Sequence, residues 1–156
     1  MIRAIVALDN KNGLADEHGI PWDLPTDRAY FRQKTDGHTV LMGEGTYREF
    51  KKPWQNRRNV VATHGAHLRP GFEMTNDARA FLKQANEDIW AIGGAGLFET
   101  TIDMIDELYV TQLDGDFHCT KFFPEYKEAF ELAQQSEPKT ENGITYTYQV
   151  WSRKTS

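Results

Sequence analysis

A chain of 156 residues is sized for one domain around one core and leaves little for a second. With 39% hydrophobic and 26% charged residues it has the composition of a soluble globule, and no apolar run approaches the length of a membrane helix. Eighteen basic against 23 acidic residues leave a net charge of −5, which argues against a general nucleic-acid binder but not against a local anion site.

The apolar run at the N-terminus turns polar at Asp9, too early for a signal peptide, and predicts a buried first strand over Ile2–Leu8. Residues 10–23 hold two glycines and a proline without periodicity and read as a mobile functional loop. Helices are expected at Thr26–Lys34, Thr46–Phe50, Asn76–Gln84 (with Thr75 or Asn76 as cap) and Ala95–Thr100. Between them, Thr39–Met42, Asn59–Thr63, Ile89–Ile92 and Glu107–Leu113 are short, rich in Val, Ile and Leu, and read as strands. Two more are expected at Ala129–Glu131 and Thr145–Trp151, the second entered through a hairpin turn at Glu141, Asn142 and Gly143. Strands alternating with helices imply an α/β domain, a mixed and mostly parallel sheet covered on both faces, with a C-terminal antiparallel hairpin at its edge. A lone cysteine, Cys119, forms no internal disulfide, so a reducing cytoplasm is the expected setting.

Four constellations carry chemistry. Pro21 and Pro25 stiffen the entry to the first helix and place Asp27 in its first turn, where the dipole favours a carboxylate. Phe31 lies one turn further on, so one face presents a carboxylate beside an aromatic ring, a match for a flat heterocycle with two N–H donors. Gly43, Glu44, Gly45 and Thr46 follow an apolar strand and open a helix; Gly93, Gly94 and Gly96 do the same after Ile92. Bare amides at such turns accept phosphate, and two of them suggest a ligand with a diphosphate bridge, although neither turn is a Gly-x-Gly-x-x-Gly fingerprint. Finally, Arg57 offers a planar fork for a carboxylate, while Lys51 and Arg58 read as solvated surface. The pair His64 and His67 lacks a third metal ligand, and His118 beside Cys119 lacks an orienting partner, so neither reads as a site. Trp54, Trp90 and Trp151 read first as packing residues.

In order and spacing these segments resemble dihydrofolate reductase along nearly the whole chain. The residues that carry the resemblance are Ile5-Val6-Ala7, Asn12-Gly13, Pro21 to Pro25, Asp27 with Phe31, Met42-Gly43 with Thr46, Arg57-Arg58-Asn59, Ile92-Gly93-Gly94 and Phe122-Phe123-Pro124. The resemblance implies an eight-stranded sheet with about four helices and hydride transfer from NADPH to a C=N bond of 7,8-dihydrofolate. It implies that Asp27 anchors the pterin and promotes N5 protonation, with Trp22 shaping the loop over the site and positioning water. Ile5, Val6, Ala7, Phe31, Phe50, Trp54, Ile92 and Phe98 match cavity-wall positions, and Thr111 matches a threonine linked to the aspartate. Arg57 matches the residue that binds the α-carboxylate of the substrate tail, with Arg32 or Lys52 assisting and Arg28 at the rim. The cofactor positions match Ala7, Leu14, Ile20, Gly43, Glu44, Gly45, Thr46, Thr63, His64, Ile92, Gly93, Gly94, Ala95, Gly96 and Leu97. Gly93-Gly94 matches the family's cis-Gly-Gly turn. No metal is implied, and the resemblance suggests a cytoplasmic monomer.

Three departures stand out. Glu44 occupies a position where the family commonly has a basic residue for the 2′-phosphate of NADPH, which predicts reduced preference over NADH. Ala15 and Thr120 replace a loop glycine and an aspartate that latch two loops in some relatives. Two other readings stay open: a related pyrimidine reductase of riboflavin synthesis, against which Trp22, Pro25 and Asp27 speak, and a non-catalytic folate- or nucleotide-binding module.

Overall fold

Alternating burial along the first strand sets the plan of the molecule. In β1 (Ile2–Leu8) Ala4 and Leu8 face one side of a sheet and Ile5 the other. A computed structural model describes residues 1–65 and 67–155. The chain continues through β2 (Gly13–Ala15), α1 (Pro25–Thr35), β3 (Thr39–Gly43), α2 (Glu44–Glu49), β4 (Arg58–Ala62), β5 (Phe72–Thr75) and α3 (Ala78–Gln84). It then forms β6 (Ile89–Gly93), α4 (Ala95–Thr101), a 3-10 turn (Ile102–Met104) and β7 (Glu107–Leu113). The last elements are β8 (Lys121–Phe122), β9 (Phe130–Gln135), β10 (Lys139–Glu141) and β11 (Ile144–Arg153).

The main sheet has the order β10-β11-β7-β1-β6-β3-β4-β5, with β9 also on β11. From β7 to β5 every neighbouring pair is parallel, and β11 adds to β7 antiparallel. Both β9 and β10 run antiparallel to β11, over Arg153 to Gln149 and Tyr146 to Ile144 respectively, so they lie end to end along one edge. Nine strands therefore occupy the eight positions expected. On one face Leu41, Val60, Ile89 and Leu108 pack with Leu82 of α3 and Leu97 and Phe98 of α4; on the other Val40, Met42, Val61 and Trp90 pack with Tyr30 and Phe31 of α1.

Several expectations need correction. The stretch 10–23 is less free than its composition suggests. Its β2 pairs antiparallel with β8, and Asp16 and Gly19 form a bridge. The buried Asp9 carboxylate accepts the amides of Lys11 and Gly13 through Oδ1 and that of Phe117 through Oδ2, tying the stretch to the segment after β7. Capping of α3 falls to Asp77, which accepts the Ala80 amide at 3.0 Å, instead of Thr75 or Asn76. The helix of the first glycine turn begins at Glu44, before Thr46, and β9 runs on to Gln135. Strands β2, β5, β8 and β10 are two to four residues long, too short for periodicity to announce them. The turn between β10 and β11 does form, with φ of 51° at Asn142 and 76° at Gly143, the left-handed pair that a two-residue hairpin requires.

Candidate active site

A split in the sheet organises the site. β1 pairs with β6 only from Ile2–Ala4 to Ile89–Ala91, whereas its pairing with β7 continues to Leu8. Beyond Ala4 and Ala91 the two central strands diverge. Ile5, Val6 and Ala7 on one side and Ile92 and Gly93 on the other thus border a crevice at the carboxyl ends of parallel strands, the place where open α/β sheets take ligands. Ile5, Phe31, Phe50, Trp54 and Ile92 gather in one apolar cluster, and Ala7 joins Trp22, Leu24 and Tyr148 in another. Val6 and Phe98 point to the opposite face; Phe98 is fully buried there, stacked at a tilt on Phe123, and reaches the crevice only as the ring beneath Gly93.

At one end of the crevice stands Asp27. Proline at the first position of α1 starts the helix, no side chain of its own loop caps it, and Asp27 in the first turn balances Arg32 and Lys34 in the last. Thr111 of β7 donates its hydroxyl to Asp27 Oδ1 at 2.6 Å. Among the described residues no hydrogen bond within the protein reaches Oδ2. Burial raises the Asp27 pKa, which the Thr111 hydrogen bond and Arg28 oppose and Glu141 reinforces. Tyr30 stacks on Tyr148 at 4.0 Å beside it, and burial followed by neighbouring charge pushes the Tyr30 hydroxyl up to about 12, so both phenols stay neutral donors. Trp22 meets Phe117 edge-on at 5.3 Å, which sets the indole between the Asp9-anchored loops and the crevice. Arg28 is exposed and pairs with Asp23.

Next to this end opens a cavity of about 430 Å³ lined by Arg32, Glu49, Phe50, Lys51, Lys52, Pro53, Trp54, Gln55 and Arg57. Arg57 is locked: Nε donates to Thr35 Oγ1 at 2.9 Å, Nη2 to the Arg32 carbonyl at 2.6 Å and Nη1 to the Gln55 carbonyl. Three of five guanidinium donors are thus spent on the protein, leaving two on a fixed plane. Phe31 and Phe50 both meet Trp54 edge-on at 5.1 Å, forming an aromatic wall between Asp27 and the cations. Trp54 is therefore part of the wall as well as of the packing.

At the other end the two glycine turns converge. A Cβ built on Gly43 would lie 3.7 Å from both the Gly93 carbonyl and the Gly94 amide, and the Thr46 hydroxyl comes within 3.6 Å of Cβ positions on Gly93 and Gly94. The Gly93-Gly94 peptide is cis. Gly45 and Gly96 face open space, and Ala95 and Leu97 continue into α4. Glu44 is ion-paired with Arg48 at 3.2 Å, one turn along α2. Thr63 is buried with its amide on the Thr75 carbonyl, while His64 beside it is exposed. Leu14 is buried in the core, and Ile20 is 62% exposed at the loop tip. The His64 to His67 segment includes Ala66, which lies outside the described residues.

Sequence reasoning missed Asp9, Tyr30, Tyr148 and Glu141. Asp9 carried a signal, an acid closing a strand four residues before a glycine; the others lacked one because their partners are remote in the chain.

Residues 1–153 match the family described as dihydrofolate reductase. The dihydrofolate reductase of Staphylococcus aureus (strain N315) is 34% identical over 154 residues, covering 96% of each chain. That of Bacillus subtilis (strain 168) is 30% identical over 162 residues, covering 100% of this chain and 96% of the other. Among solved structures, dihydrofolate reductase from Enterococcus faecalis complexed with NADP(H) and RAB-propyl superposes with a TM-score of 0.89 at 25% identity, over 99% of this chain and 97% of that one. The match over nearly the full length, on a fold whose split sheet holds Asp27 between Thr111 and an aromatic wall, means that this chain belongs to the dihydrofolate reductase family.

Proposed function

We propose that the crevice reduces 7,8-dihydrofolate to 5,6,7,8-tetrahydrofolate with NADPH. The observation that carries the reading is the Asp27 carboxyl, with Oδ1 held by Thr111 and Oδ2 directed to no protein donor, at the end of an apolar slot that leads to the locked fork of Arg57. A pterin ring offers an amino group and a ring N–H to one carboxylate, and its tail ends in a carboxylate that suits two fixed guanidinium donors. The Phe31, Phe50 and Trp54 wall spans the interval between them and excludes water from the ring.

Burial raises the proton affinity of Asp27, while the Thr111 hydrogen bond and Arg28 favour its ionised form; ionised and anchored beside the pterin, the carboxyl favours the protonated, electrophilic imine at N5. Trp22, fixed by Phe117 over the crevice, orders the water that delivers the N5 proton. NADPH supplies the hydride when bound. The residues present fit it: Ala7 and Ile92 border the split where a flat ring enters, and Gly43 to Thr46 and Gly93 to Leu97 form bare cradles for a diphosphate. Glu44 suits the 2′-phosphate poorly. Its pairing with Arg48 offsets part of the repulsion and leaves a reduced preference over NADH. Thr63 and His64 complete that pocket. The whole chain acts as one domain, with a small-molecule substrate, as a monomer in the cytoplasm. No helix among the described residues is long and apolar enough to cross a membrane.

Following absorbance as NADPH is oxidised in the presence of dihydrofolate tests the proposal. Turnover is the expected result. Binding of dihydrofolate without turnover would favour the non-catalytic folate-binding reading, and a flat trace with no binding would remove both.

A further inference from the structure

Helix α1, which carries Asp27, is capped from far away. Its N-cap position is Leu24, which offers no side-chain acceptor, so the first-turn amides lack the usual local partner. The Glu141 carboxylate, 115 residues on at the end of β10, accepts the Thr26 amide on Oε1 at 3.0 Å and the Thr26 hydroxyl on Oε2 at 2.5 Å. The next residue of the same turn, Asn142, donates its Nδ2 to the Asp23 carbonyl at 2.8 Å. The tip of the C-terminal hairpin therefore grips the chain on both sides of Leu24 and Pro25, next to the residue that anchors the pterin. The left-handed Asn142 and Gly143 turn aims both side chains at that point.

We propose that Glu141 is a positioning residue for the reaction: it stands in for the missing cap of α1, holds Asp27 in register with the crevice, and keeps a second negative charge behind it. The inference rests on the reading of the site as a dihydrofolate-reducing one. The capping oxygens act through Thr26 and never reach the crevice. The charge acts directly and raises the proton affinity of Asp27. The other polar groups around Asp27 are Arg28 and Tyr30 on its own helix, Thr111 on β7, and Tyr146 and Tyr148 on β11. Among the described residues, Arg28 is the opposite charge that acts on Asp27, and it is already paired with Asp23, while Glu141 is the anionic group set against Asp27.

Two variants separate the cap from the charge. Glu141→Gln keeps the shape and one acceptor oxygen and removes the charge; Glu141→Ala removes everything. Two readouts apply: kcat/KM for dihydrofolate, and the titration midpoint of the Asp27 carboxyl followed by carbon NMR in the protein without ligands. The expected result is a midpoint moved to lower pH in both variants, with kcat/KM lowered about fivefold in Glu141→Ala, the scale of losing a helix cap, and largely restored in Glu141→Gln. A midpoint unmoved in both variants, or an alanine variant with the wild-type kcat/KM, overturns the inference. If the wild-type protein failed to reduce dihydrofolate, the functional reading would fall while the titration comparison would still judge the charge.

Discussion

The two ends of the crevice are built by opposite means. Around Asp27 the parts come from distant stretches of chain: Thr111 is 84 residues away, and Glu141 is 115 residues from Thr26, the neighbour of Asp27 that it holds. The parts there are side chains, with Asp27 held by Thr111 and the fork of Arg57 held by Thr35 and the Arg32 carbonyl. Around Gly43 and Gly93 the parts are local, two turns at the ends of adjacent parallel strands, and they work by having no side chain in the way. An end built from interlocked side chains fixes orientation and proton affinity, and single changes there are expensive. An end built from bare backbone binds what the fold already favours, and leaves discrimination to partly exposed residues such as Glu44 that can vary at little cost to folding.

Substitutions at the two ends should therefore differ in size. Asp27→Asn removes the anchoring charge and should lower kcat/KM for dihydrofolate at neutral pH by about 100-fold or more. The same variant should melt at a higher temperature than wild type at neutral pH. The folded pKa of Asp27 is raised, so its ionisation favours the unfolded chain as pH climbs from the ordinary carboxylate range through the folded value; below that window the gain should vanish. A calorimetric series across pH checks the sign, and a variant less stable than wild type at neutral pH would contradict it. Next in size is Arg57→Lys, which keeps the charge and loses the fork. KM for dihydrofolate should rise about tenfold with kcat little changed, the signature of uniform binding, whereas an equal fall in kcat would place Arg57 in the chemical step. Glu44→Arg at the glycine end should be milder: NADPH binding tightens by roughly tenfold or less, NADH binding stays put, and protein stability barely moves. Equal changes for the two cofactors would remove the 2′-phosphate from the argument.

Legibility followed the same division. The glycine turns, the strands β1, β3, β6 and β7 and the start of α1 could be read because their determinants are neighbours in sequence: apolar runs closed by glycine, or proline before an acid. Asp27 could be picked out together with Phe31, since one helical turn separates them. What sequence could not supply was pairing across the sheet. Period-two burial does not say that β1 and β6 part company after Ala4, and nothing in Lys139–Glu141 announces a strand whose last carboxylate caps a helix at the other end of the chain. Asn10–Asp23 misled for a related reason. Glycines and absent periodicity suggested freedom, but Asp9 supplies the acceptors that such a stretch needs to hold a shape. The resemblance places Phe98 and Val6 on the cavity wall; the alternation of β1 and the packing of α4 put their side chains with the core cluster, where Phe98 lies beneath Gly93.

The pH dependence of dihydrofolate reduction in wild type and Asp27→Asn, measured side by side, tests the central role of Asp27 most directly. The two profiles should lie far apart at neutral pH and converge in acid, where N5 is protonated without help from the carboxyl. Profiles separated by a constant factor across the whole range, or not separated at all, would contradict the role assigned to Asp27.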